Sequence, residues 1–351
     1  MKGSRFAAAW REPAFIRPVL VLESDDWGAD APGRVAEQAA ALEALVRLLT
    51  AIRDGAGRSA IMTIGLVAGI IDRDAWRRHG HYRRLTLDHP SQVPVLAALQ
   101  TGVEAGVFAI QWHGLEHYWP EALVAARDEP PVAAWLAEEA STEALPDAFQ
   151  SRWVDGSRLP TPRLPREAIE QAVAEEAALL AQWFGAVPPV AVPNTFVWND
   201  DVESAWHRAG VQWVITPGCR YSGRDAQARL IAERCGLYNG APSPTGVRYL
   251  VRDVYFEPAR GHGRERLLAG LARKIQSGRP CLVETHRFNY VGEGAPRARE
   301  ELLRALEQAL QRHPNLRFLS SAELGDVLAR RDPAWVRAPA PAQCWARLAA
   351  P

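Results

Sequence analysis

Lysine is nearly missing from this sequence: Lys2 and Lys274 are the only two in 351 residues, so its 41 basic side chains are almost all arginine. Forty-one acidic residues balance them to a formal net charge of zero. That balance lacks the basic footprint of a nucleic-acid-binding domain and the acidic excess of a solvating tail. Long apolar runs are also missing. None reaches the roughly 18 residues that a membrane-spanning helix needs. The first 16 residues carry Lys2, Arg5, Arg11 and Glu12 around a short alanine run. They lack the apolar stretch of a secretory signal, so a cytoplasmic location is expected. Cysteine is scarce as well. Cys219, Cys235, Cys281 and Cys344 show no short paired spacing, which excludes a zinc knuckle and a disulfide framework and leaves reduced structural thiols as the expectation.

What is present is the rhythm of an α/β enzyme. Short apolar runs at 18–22 (PVLVL), 60–67 (AIMTIGLV) and 107–112 (VFAIQW) read as buried strands, separated by helical patterns at 36–52 and 93–105. Prolines at 120, 130, 131, 146, 160, 162 and 165 then interrupt the pattern, so 118–164 reads as an inserted excursion with one or two short helices. The alternation resumes with helices at 166–184, 200–209, 264–276 and 297–312. Strands are expected at 189–192, 211–216, 247–256, 280–285 and 316–319. Continuously apolar strands alternating with helices imply a parallel sheet covered by helices. Seven or eight such units favour a closed (β/α) barrel. One domain over 1–330 is expected, with the Ala/Pro-rich 331–351 as a weakly ordered tail.

In such barrels chemistry collects on loops leaving the C-terminal ends of strands. The polar clusters fall there: Glu23-Ser24-Asp25-Asp26-Trp27-Gly28 after the first strand, His113 to His117 after the third, Pro193-Asn194-Thr195 after the fourth, and Glu284-Thr285-His286-Arg287 after the late one. His113 and His117, four apart, would share one face of a helical turn. With a carboxylate from another strand they supply three ligands for a borderline divalent cation and leave a position open for water or substrate. Two adjacent aspartates at a strand end repel unless a cation held by one leaves the other free as a base. A plain helix-capping role for the pair is weaker, because Pro32 and Gly33 intervene and Asp30 is the better cap. His79, His81 and His89 read as solvated loop histidines rather than a second metal site.

These residues resemble the polysaccharide deacetylase superfamily, the group with the NodB-homology domain. Its motifs are matched by Asp25-Asp26 followed by Gly28, by His113-x-x-x-His117, and by His286 after an apolar strand, in order, over about residues 17–325. The resemblance implies a distorted barrel of seven or eight strands and a divalent metal, usually zinc. It implies Asp25 as catalytic base, His286 as general acid, and Asp26, His113 and His117 as metal ligands. Two departures mark a divergent member. Ala191-Val192-Pro193 stands where the family carries Arg-x-Pro, so the arginine that orients the base is missing unless Arg287 or another residue replaces it. Thr285-His286-Arg287 stands in place of Leu-His-Asp.

The expected activity is metal-dependent hydrolysis of an acyl group, foremost acetyl, from an amide or ester of a carbohydrate. Trp27 and Trp119, with Asn194 and Arg287, are candidate substrate contacts, since aromatic faces suit sugar rings. A small non-sugar C–N substrate, such as an amide or cyclic imide, would instead suit a site closed over by the excursion. A non-catalytic, metal-containing carbohydrate-binding barrel would need neither Asp25 nor His286. No nucleic-acid or membrane partner is expected.

Overall fold

Buried β-branched and leucine-rich runs form the strands, and helices with apolar residues at every third or fourth position cover them. The computed structural model describes residues 9–138 and 140–349. In chain order the main elements are β1 (Val19–Gly28), α1 (Val35–Ala51), β2 (Met62–Val67), α2 (Val93–Glu104), β3 (Phe108–Trp112), α3 (Arg166–Phe184), β4 (Val190–Ala191), α4 (Asp200–Arg208) and β5 (Trp213–Thr216). After them come β6 (Arg248–Val251), β7 (Val254–Tyr255), α5 (Arg264–Gln276), β8 (Cys281–His286), α6 (Ala295–Arg312), β9 (Arg317–Phe318) and α7 (Ser321–Arg330).

The strands lie in the order β6-β5-β4-β3-β2-β1-β8-β7, all parallel, and β9 pairs with the start of β1. This is the distorted (β/α) barrel. The expected strand at 247–256 is split into β6 and β7, separated only by Arg252 and Asp253. β6 pairs with β5 and β7 with β8, so one extended segment serves both ends of the sheet. The backbone bonds Arg252 N–H to Thr216 O (2.9 Å) and Phe256 N–H to Glu284 O (2.8 Å) mark the hand-over.

Two apolar layers follow from strand alternation. Leu20 and Leu22 face the helices, among them the buried stripe Val35, Ala39, Leu42, Leu45 and Leu49 of α1. Val19 and Val21 face inward with Val190, Val192, Trp213, Ile215, Leu250 and Leu282. Leu324 and Leu328 of α7 join that inner cluster and close the barrel floor. A reciprocal Ser320/Glu323 capping box starts α7 there.

Two expectations about the periphery are corrected. Cys219–Arg224 and Leu230–Cys235 form an antiparallel hairpin, and Cys219 is disulfide-bonded to Cys235; only Cys281 and Cys344 are free thiols. A spacing of 16 residues concealed the pair, because strand register, not sequence proximity, brings the sulfurs together. Up to residue 349, the segment expected to be weakly ordered carries regular structure. Val336–Arg337 pairs with Ala14–Phe15, and Pro341–Ala349 is a helix whose buried Arg347 donates to the carbonyls of Ser277 (2.9 Å), Ala9 (2.9 Å) and Glu12 (2.6 Å). Among the described residues no helix is long and apolar enough to cross a membrane.

Replacing Arg347 with Ala strands those carbonyls and is expected to lower unfolding free energy by about 2–4 kcal/mol, the scale for several buried charge-assisted hydrogen bonds. Urea denaturation measures it. A loss under about 0.5 kcal/mol would show that the terminal helix contributes nothing to the fold.

Candidate active site

The inward-facing positions change character along each strand. On β1 they run Val19, Val21, Glu23, Asp25; on β8, Leu282, Glu284, His286; on the closing segment, Leu250 and then Arg252. The lumen is therefore apolar at its floor and ionised toward its C-terminal mouth. Alternation alone would turn Asp26 outward, away from Asp25. A bulge prevents this: pairing with β2 jumps from Ser24–Ile64 to Trp27–Leu66, and Asp26 adopts a left-handed conformation (φ 69°). Both carboxylates then line the same cavity. Gly65 leaves room beside them, since a Cβ there would come within 2.4 Å of Asp25 Oδ1.

His113 directly follows β3, and its backbone N–H continues the ladder to Leu66 O at 3.1 Å. His117 lies on a bent loop rather than the expected helical turn, because Gly114 at φ 101° breaks any helix. The loop still brings the rings edge-to-face, 5.1 Å between centroids. Anchors hold it on several sides. Asn194 Nδ2 donates to His113 O (2.7 Å), Gly114 N–H donates to Glu176 (3.0 Å), and buried Glu116 takes Arg152, Arg84 and the Tyr82 hydroxyl.

Asp26 Oδ1 lies 3.0 Å from His113 Nε2 and 3.1 Å from His117 Nε2. On the other side of its ring, His113 Nδ1 is 2.9 Å from Val192 O, which only accepts, so Nδ1 carries a proton. In a neutral His113 the Nε2 lone pair therefore faces the Asp26 carboxylate oxygen, an arrangement that a cation between them would relieve. One carboxylate and two imidazoles, with ligand atoms all within 4.8 Å of one another, form the donor set of a borderline divalent ion. Asp25 and Asp26 raise the His113 pKa against the opposing effect of burial.

Arg252 is the residue the sequence reading missed. Its Nη2 lies 2.6 Å from Asp25 Oδ2, Nη1 3.0 Å from Glu23 and Nε 3.1 Å from Glu284, all buried. Burial alone would raise the Asp25 carboxyl, but Arg252, with His113 and His286, holds it below the usual range. Glu23 responds oppositely, pushed up to about 7 by burial despite Arg252. Burial raises Glu284 too. One guanidinium thus keeps Asp25 ionised while its neighbours retain protons more readily. Asp25 Oδ1, itself buried, accepts no hydrogen bond among the described residues.

His286, beside Asp25 in the strand register, is tuned the other way. Burial would lower its pKa, yet the 2.5 Å hydrogen bond from Nδ1 to Glu257 and the charge of Asp26 push it up to about 10. Asn289 Nδ2 donates to the other Glu257 oxygen. Phe288 stacks on the imidazole (5.6 Å, 13°), and Arg260 lies 4.6 Å over the Phe288 ring.

These groups line a cavity of about 330 Å³, with Phe196, Phe288 and Arg260 on its wall and Glu143, Asp147 and Gln150 contributed by the excursion. Asp25, Asp26, His113, His117 and His286 are brought together. Trp27, Trp119, Asn194 and Arg287 are not on the wall. Trp27 is buried against Tyr290 and donates to Ser24 Oγ (2.8 Å), and Trp119 packs near Arg152 in the outer core. Arg287 is buried on Asp30, which therefore anchors this arginine rather than capping α1. Thr195 and Phe196 are consecutive non-glycine residues at positive φ, 51° and 57°, and the turn is tied to the excursion by Ser151 Oγ at 2.5 Å from Thr195 Oγ1.

No family model matches this chain, and no curated protein matches it. Among solved structures it is similar to a 4-α-glucanotransferase from Thermococcus litoralis, at 8% identity and TM-score 0.47 over 88% of this chain. The match spans only 40% of the glucanotransferase's length. It is also similar to a peptidoglycan deacetylase from Bacillus subtilis (10% identity, TM-score 0.40, 90% of this chain and 94% of that one). A family 4 carbohydrate esterase from Streptomyces lividans matches at 11% identity and TM-score 0.37, over 92% and 98% of the two chains.

Two outcomes test this geometry. Glu257→Gln removes the charge that keeps His286 protonated, so the His286 titration midpoint is expected to fall by at least about one unit in histidine NMR, with little change at His79 or His81. An unmoved midpoint would refute the pairing. Arg252→Met leaves three buried carboxylates without their cation and should cost about 3–5 kcal/mol near neutral pH. The sign follows from Glu23 and Glu284: groups whose folded pKa is raised favour the fold below their unfolded pKa and lose that contribution as pH rises. The deficit in urea unfolding should therefore shrink from about pH 8 to about pH 5. A deficit that grows on acidification contradicts the assignment.

Proposed function

We propose that this chain is a metal-dependent hydrolase that removes an acyl group, foremost acetyl, from an amide or ester of a carbohydrate. The observation that carries the reading is an aspartate and a histidine of opposite tuning on the adjoining strands β1 and β8, beside three side chains that could hold a metal. Arg252 keeps Asp25 ionised, and Glu257 keeps His286 protonated. Titratable neighbours driven apart in pKa divide into base and acid.

Asp26, His113 and His117 would hold the divalent ion, and zinc fits this set best. Such an ion supplies Lewis-acid polarisation of the acyl carbonyl and of the attacking water. Asp25 accepts the water's proton at Oδ1, while Arg252 fixes the other oxygen and so the carboxylate plane. His286 donates its Nε2 proton to the departing nitrogen or oxygen, and Glu257 keeps the ring oriented through Nδ1. Phe196 and Phe288 offer ring faces for a sugar, and Glu143, Asp147 and Gln150 offer partners for its hydroxyls. A cavity of about 330 Å³ narrowed by the excursion favours a single acylated ring, or a comparably small amide, over several rings of a polymer at once.

Asp25→Asn is expected to cut acetate release from acetylated sugars by about 10²–10⁴-fold, the range for general acid–base catalysis, with metal content retained. Asp26→Asn is expected to lose the metal itself, as read by elemental analysis of the purified protein. Chelation should abolish wild-type turnover and added zinc restore it. Loss of metal in the Asp25 variant would assign that residue as a ligand instead, and wild-type protein that never takes up metal would end the proposal.

A further inference from the structure

At the barrel end remote from the metal centre, among the N-terminal ends of the strands, lies a second cavity of about 360 Å³. Three arginines reach it from separate parts of the chain: Arg11 from the segment before β1, Arg248 from the first position of β6, and Arg331 from the residue that ends α7. No carboxylate lines it, and among the described residues none of the three has a carboxylate oxygen within 4.0 Å. In a chain with equal numbers of acidic and basic residues this is a local surplus, and like charges gathered around one hollow repel.

All three arginines are exposed, and two features set two of them apart. The Arg248 guanidinium lies 5.9 Å over the Trp213 ring, which holds it in place without neutralising it. Arg331 occupies the left-handed position after α7 (φ 48°, ψ 45°), where glycine is the residue without steric cost. Among the described residues this exposed side chain has no carboxylate within 4.0 Å, so its charge is open to a partner from outside the protein. Complementing the helix dipole does not require it, since Arg330 already stands in the last turn. Tyr238, Pro13 and Leu328 add apolar wall beside the charges.

We propose that this cavity is an anion site for a phosphate-bearing small molecule, its phosphate taken by Arg11, Arg248 and Arg331 and its organic part laid against Tyr238 and Pro13. Guanidinium groups match tetrahedral oxyanions through paired N–H donors, and three of them neutralise a dianion. The site is separate from the metal centre and independent of the activity proposed for it.

Inorganic phosphate titrated calorimetrically at constant ionic strength tests this, in protein supplied with zinc and in protein treated with a chelator. One saturable binding event is expected in both. Arg331→Gly is expected to weaken it about tenfold or more, the equivalent of one lost charge-assisted contact. The same variant should keep or raise its ligand-free thermal midpoint, because glycine relaxes the left-handed residue. Arg248→Ala should weaken binding similarly and reads the site independently of that backbone effect. The proposal is overturned by wild-type protein that shows no saturable heat, by both variants binding like wild type, or by binding confined to the zinc-supplied protein, which would put the phosphate on the metal.

Discussion

One buried guanidinium organises the barrel. Arg252 sits where the closing segment passes from β5 to β8, and its three nitrogens each meet a different carboxylate, from Glu23, Asp25 and Glu284. Buried ion pairs stabilise a fold only when every charged group is satisfied, since desolvation otherwise exceeds the Coulombic gain. Here each guanidinium nitrogen has its own carboxylate, and Ser321 at the start of α7 also donates to Glu23. The network therefore ties β1, β8, the closing segment and the floor helix to one point, midway between the apolar floor and the polar mouth.

Asp25 and His286 occupy paired positions on β1 and β8, in one buried environment, yet their proton affinities move in opposite directions. Burial disfavours the charged form of each, so the difference comes from partners: a cation behind the aspartate and an anion behind the histidine. Neither partner touches the other's residue in the hydrogen-bond pattern. Strand alternation sends Arg252 inward toward β1, and Glu257, just past β7, reaches the end of β8. The bulge at Asp26 completes the division of labour. It adds a second carboxylate at the mouth, beside His113 and His117, without displacing Asp25 from Arg252.

What could be read from sequence was local. PVLVL, AIMTIGLV and VFAIQW are continuous buried runs, and the ionisable residues at their ends mark the mouth. Asp26, His113 and His117 could be grouped because two of them share one short loop and the third ends a strand. Arg252 and Glu257 were not legible. Nothing around them has a distinctive spacing, and their function depends on pairing across 227 residues (Arg252 to Asp25) and 29 residues (Glu257 to His286). The hairpin disulfide and the docked C-terminal helix escaped notice for the same reason. The tryptophans misled in the opposite sense. Trp27 and Trp119 stand beside the motifs in sequence, but alternation and loop direction turn them into the core, while Phe196 and Phe288 face the cavity.

The arginine missing before Pro193 now has a structural account. Val190 and Val192 belong to the inner cluster, so Ala191 between them belongs to the outer one, against the helices. A long side chain at 191 would start on the wrong side of the sheet to reach Asp25 unless the local backbone were rebuilt. Rebuilding would disturb His113, because Val192 O is the acceptor that fixes its tautomer and Asn194 holds its carbonyl. The short β4 is thus committed to orienting His113. The cation beside Asp25 comes instead from across the lumen, on the one segment that borders both open sides of the sheet.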